Sequence, residues 1–67
     1  MIVHLDIITI KRLLAENGLT ASALSKRSGI SRQCISTILG RGTCSVTNAG
    51  KLARALGVDV ESIWKEG

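Results

Sequence analysis

The sequence predicts an all-α fold of five short helices in one domain spanning residues 1–67, and three observations predict it. Apolar residues return at helical spacing in short runs. Each run opens on a capping residue, and glycine follows most of them. No stretch sustains the alternation of polar and apolar positions that a half-buried sheet requires. At 67 residues, folding takes only about 60% of the extended chain's surface out of water, so the core is thin and every apolar face matters.

The elements follow in order. Asp6 caps a first helix in which Ile7, Ile10 and Leu14 share one stripe, and Asn17-Gly18 ends it. Thr20 caps a second helix, Ala21–Ser28, closed by Gly29, and Ser31 caps a third that runs to about Leu39, where Gly40 and Gly42 break the pattern. After a loop over residues 41–44, either Ser45 or Thr47 opens a fourth helix with Val46, Leu52, Ala53 and Leu56 inward, and Gly57 stops it. Asp59 caps a final turn carrying Ile63 and Trp64, and residues 2–5 are compatible with an extended stretch. Gly50 inside the fourth helix costs about 1 kcal/mol relative to alanine. The small pair Ala49-Gly50 is therefore read as admitting another helix closely, with a later helix start as the alternative.

Composition removes several function classes. Trp64 is the only aromatic residue, which argues against a stacking platform for single-stranded nucleic acid. Cys34 and Cys44 form no CxxC pair and His4 is the lone histidine, so a structural zinc site lacks ligands and no metal or other cofactor is expected. Cys34 is expected to be an ordinary reduced thiol, and His4 to be exposed. Residues 1–10 are interrupted by His4 and Asp6 and carry no basic leader, so neither a signal peptide nor a membrane span is expected, and the expected setting is cytoplasmic. No carboxylate pair, no Cys/His/Asp set and no phosphate loop supports an enzyme.

The net charge of +4 is unevenly spread. Residues 17–58 contain no acid but hold Lys26, Arg27, Arg32, Arg41, Lys51 and Arg54, while Asp6, Glu16, Asp59, Glu61 and Glu66 lie toward the ends. Separation of this kind makes one electropositive side, whose natural partner is a polyanion.

Residues 21–38 carry the strongest pattern. Gly29 accepts the left-handed backbone of a tight turn between two helices, small Ser25 lets them cross closely, and Leu24, Ile30, Ile35 and Ile38 supply the apolar contact. With Ile35 and Ile38 inward, Arg32, Gln33, Ser36 and Thr37 form the opposite face, because 32/36 and 33/37 are each one turn apart. Arginine and glutamine suit bidentate contact with guanine and adenine edges, and the Thr37 methyl suits a thymine methyl. Lys26 and Arg27 are candidate phosphate contacts from the second helix, with a merely solvated basic face as the alternative.

On these residues, positions 6–64 resemble the lambda-repressor-like (Cro/cI, XRE) helix-turn-helix family. The matching pieces are Gly18-Leu19-Thr20, Gly29-Ile30-Ser31-Arg32 through Ile35-Ser36, and Lys51-Leu52-Ala53-Arg54-Ala55-Leu56-Gly57-Val58. The resemblance implies that the second and third helices form the motif. It implies base contacts from Arg32, Gln33, Ser36 and Thr37, and phosphate contacts from Ser22, Ser31, Arg41 and Thr43. Ala21 stands where the family often has glutamine, Ser25 replaces alanine, Leu39 takes a commonly acidic position, and the loop before Val46 is about one residue short.

The function expected is a sequence-specific regulator of transcription, of repressor or Cro type, acting on double-stranded DNA, with no small-molecule ligand. One such domain reads about half a site, so a homodimer is expected. Ile2, Val3, Leu5, Ile8, Leu39, Ile63 and Trp64 exceed what one thin core needs. Some of them are expected at the dimer contact, or the N-terminal group instead extends the core. The rival reading is an antitoxin-type module that binds a partner protein as well as DNA.

Overall fold

The computed structural model describes residues 1–65, and Glu66, one of the five acids, lies outside them. In chain order the elements are strand β1 (Ile2–His4), helices α1 (Ile7–Glu16), α2 (Ala21–Ser28) and α3 (Arg32–Arg41), strand β2 (Thr43–Ser45), and helices α4 (Val46–Leu56) and α5 (Val60–Ile63). The domain is mostly helical, with the five helices expected, and adds to them a two-stranded antiparallel sheet that includes the extended stretch at residues 2–4, in which Ile2 faces Ser45, Val3 faces Cys44 and His4 faces Thr43. A two-stranded ribbon alone is marginal in water. This one is held because Val3, Leu5 and Cys44 are buried in the common core. A bridge from Leu5 to Trp64, with the Asp6 N–H donating to the Ile63 carbonyl and the Lys65 N–H to the His4 carbonyl, ties residues 63–65 to residues 4–6.

Four helices open on the caps read from the sequence. The Thr9, Ala23, Cys34 and Asn48 N–H groups donate to the side chains of Asp6, Thr20, Ser31 and Ser45, respectively. Ser45, not Thr47, is thus the start of α4, and Val46, as its first residue, is 43% exposed rather than inward. Asp59 occupies the corresponding position before α5 without a side-chain bond, and Trp64 lies beyond that helix. Helix α3 also runs past Leu39 and Gly40 to Arg41. It ends where Gly42, at φ 76°, takes the left-handed conformation and returns its N–H to the Ile38 carbonyl.

Ile10, Leu24, Ile35, Leu52 and Ile63 are fully buried, one from each helix. Ile7 and Leu14 are only partly covered beside them. Ala49 is buried completely, which fits the close-approach reading, but Gly50 is exposed and a Cβ built on it meets nothing within 4 Å. No helix needs the missing side chain. Gly50→Ala is therefore expected to stabilise the domain by about 1 kcal/mol, read as a higher urea midpoint at unchanged slope.

Asp6 predicts a pH effect at the start of α1. The Thr9 N–H, then the Thr9 hydroxyl at 2.8 Å, hold its carboxyl below the ordinary 3.8, with smaller contributions from Lys65 and Arg12. A depressed carboxyl contributes stability that is fully present above the unfolded value and is lost as pH falls through the folded one. The Thr9 amide resonance is accordingly expected to move toward its disordered position only below about pH 3.8.

Candidate nucleic-acid interface

The junction of α2 and α3 is fixed by short hydrogen bonds. Gly29 adopts φ 75° and donates its N–H to the Ser25 carbonyl at 3.0 Å. The Ser25 hydroxyl donates to the Ile30 carbonyl at 2.6 Å, and the Ile30 N–H donates to the Ser28 hydroxyl oxygen at 3.2 Å. The Ser25 hydroxyl thereby satisfies a turn carbonyl that an alanine at this position would leave to water. Leu24 and Ile30 close the junction from within, 0% and 5% exposed.

The two faces of α3 then separate. Ile35 and Ile38 point into the core, while Arg32, Gln33, Ser36 and Thr37 are all exposed on the other side. No acidic residue occupies the first turn of α3, where unpaired N–H groups and the helix dipole already favour negative charge. Ser31 uses its oxygen to accept from the Cys34 N–H at 3.2 Å, leaving its own proton to donate outward. The Thr37 hydroxyl donates to the Gln33 carbonyl at 3.0 Å, so its polar group is satisfied within the helix.

The other named residues lie elsewhere on α2, α3 and β2. Ser22 is exposed on the first turn of α2, and Lys26 is exposed on its last. Arg41 is exposed at the far end of α3, which at ten residues is about 15 Å long. Thr43 is half-buried at the start of β2, opposite His4, which is exposed. Arg32, Gln33, Ser36 and Thr37 thus share one exposed face of α3, whereas Ser22 and Lys26 stand on α2, Arg41 at the end of α3 and Thr43 on β2.

Neither cysteine lies on that face. Cys34 is half-buried and receives the Asn48 side-chain amide at 3.8 Å. Cys44 is buried with its thiol directed to the Ser45 carbonyl, and burial, with a smaller effect of Cys34, pushes that thiol up. Among the described residues no three of His, Cys, Asp and Glu gather as a metal set, and no helix is long and apolar enough to cross a membrane.

Of the surplus apolar residues, Val3, Leu5 and Ile63 belong to the core and Leu39 packs partly against it, whereas Ile2, Ile8 and Trp64 remain exposed at 71%, 73% and 38%. A feature missed in the sequence lies between α2 and α4. Arg27 and Ser28 from α2, with Thr47, Gly50, Lys51, Arg54 and Ala55 from α4, line one concavity of about 460 Å³. The spacing 47/51/54 places the α4 members on one face, but only the docking of α2 on α4 supplies the other wall.

A family model described as the Cro/C1-type HTH DNA-binding domain matches residues 9–65. Comparisons with curated proteins and with solved structures give no match. Since the match takes in every helix from the first turn of α1 through α5, the chain belongs to the Cro/C1-type helix-turn-helix DNA-binding domain family.

Proposed function

We propose that the chain is a sequence-specific regulator of transcription, of repressor or Cro type, that places α3 in the major groove of duplex DNA and acts as a homodimer. The observation that carries this reading is the outer face of α3: exposed, free of acid, and headed by Arg32 and Gln33 at a helix N-terminus. An α-helix fits the major groove, where guanine offers two acceptors to Arg32 and adenine an acceptor and a donor to Gln33. Ser36 and Thr37, one turn further on, are short enough to allow close approach, with the Thr37 methyl available to a thymine methyl. Ser22, Ser31, Lys26, Arg41 and Thr43 take backbone phosphates, which fix register without reading sequence. Exposed Ile2, Ile8 and Trp64 are the apolar candidates for a two-fold contact, and two copies read half-sites about one helical turn apart.

Titration with a duplex selected for binding, and with its scrambled counterpart, at two salt concentrations tests this reading. Affinity for the selected duplex should fall with salt at a slope of about −0.9 per phosphate neutralised, and the scrambled duplex should bind far more weakly. Affinity indifferent to both salt and sequence would remove the proposal.

A further inference from the structure

We propose that the concavity between the end of α2 and the outer face of α4 binds a phosphate group, apart from the face of α3. Its lining holds three cations, Arg27, Lys51 and Arg54, and the Thr47 hydroxyl, without a carboxylate, while the Ser28 hydroxyl at its edge donates to the Ser25 carbonyl. No acid occurs anywhere in residues 17–58, so neither helix supplies a counter-charge of its own. Like charges gathered about one concavity repel one another until an anion enters.

Gly50 is the second, independent observation. A glycine in a helix interior costs about 1 kcal/mol, yet a Cβ here would touch nothing within 4 Å. Packing inside the domain does not require the gap. Gly50 does lie in the lining of the concavity, one turn from Thr47 and Arg54, so any side chain at this position would project into the space an anion needs.

The donors favour phosphate over carboxylate. Two guanidinium forks, an ammonium and the Thr47 hydroxyl line the concavity from two helices, whereas a carboxylate accepts in one plane through two oxygens. A phosphate presents its oxygens in three dimensions and can engage both walls at once. The group can belong to a strand of duplex DNA or to a free phosphate ester. The first source rests on the proposed DNA-binding function and is within reach, because Thr47 adjoins Asn48, whose amide touches Cys34 in the first turn of α3. The second source needs no DNA.

Amide resonances of the whole chain, titrated with inorganic phosphate against chloride at constant ionic strength, test the site. Saturating shifts confined to Ser28, Thr47, Gly50 and Lys51 are expected, and they should vanish in Gly50→Leu and in the double variant Lys51→Ala/Arg54→Ala. Gly50→Leu puts a side chain into the concavity while improving helix propensity, and its urea midpoint separates loss of the shifts from loss of the fold. Shifts that do not saturate, spread over the surface, or persist in Gly50→Leu overturn the site.

A duplex arm identifies the source. If a DNA strand supplies the phosphate, Lys51→Ala/Arg54→Ala weakens every sequence alike and lowers the salt slope by about two. If a free ester supplies it, that slope is unchanged while the phosphate shifts stand. A chain that shows the shifts but binds no duplex keeps the site and loses the regulator reading.

Discussion

Gln33→Ala is expected to remove discrimination at one base position of each half-site, by about 1–3 kcal/mol or roughly 5- to 150-fold, while the rest of the site is read as before. The side chain stands on the second residue of α3, exposed and outside the core, so its loss should leave the fold intact. Arg41→Ala is the control. It sits at the opposite end of α3, and its removal should weaken all sequences alike and lower the salt slope by about one. Competition binding against a library varied at one base pair at a time separates the two outcomes. Equal, small losses from both would mean that another face reads the bases.

Leu24→Ala should have the largest effect on stability. Leu24 is 0% exposed, and it stands where α2 meets the rest of the core. Truncating a leucine in such a site costs about 2–5 kcal/mol, because the surroundings close only partly over the space left. A domain of this size has about 3–10 kcal/mol in total, so the variant should be largely unfolded near body temperature and lose its duplex affinity with its fold. Urea unfolding measures this as a lower midpoint with the slope retained. A cost under 1 kcal/mol would show that α2 is not seated as described.

The caps explain why most of the fold was legible. Asp6, Thr20, Ser31 and Ser45 each bond to an N–H three residues on, an interaction wholly within one short window of sequence. The small sheet was not legible for the opposite reason. In β1 only Val3 turns inward, and outward-facing Ile2 is itself apolar, so burial alternates where hydrophobicity does not. β2 is three residues long, with Cys44 alone inward, too short for any period to show. The same sheet took Val3 from the apolar surplus, and the bridge between Leu5 and Trp64 goes with burial of Leu5 and Ile63.

The candidate site divides in the same way. The α3 face was legible because its inner and outer residues follow helical spacing within one turn of each other. The cationic concavity was not, since Arg27 and Arg54 are far apart in sequence and line one concavity, from opposite walls, only once α2 docks on α4. Gly50 misled for a related reason: a small residue at a helix crossing and a small residue at an open surface look alike until the neighbour is located.

Methylation interference on a selected duplex tests the central claim most directly. A methyl on guanine N7 lies in the major groove, and one on adenine N3 lies in the minor groove. The α3 reading requires that N7 methylation at guanines within each half-site block binding, and that Arg32→Ala abolish the block at one of them. Binding that tolerates every N7 methyl but is stopped by N3 methylation would contradict it.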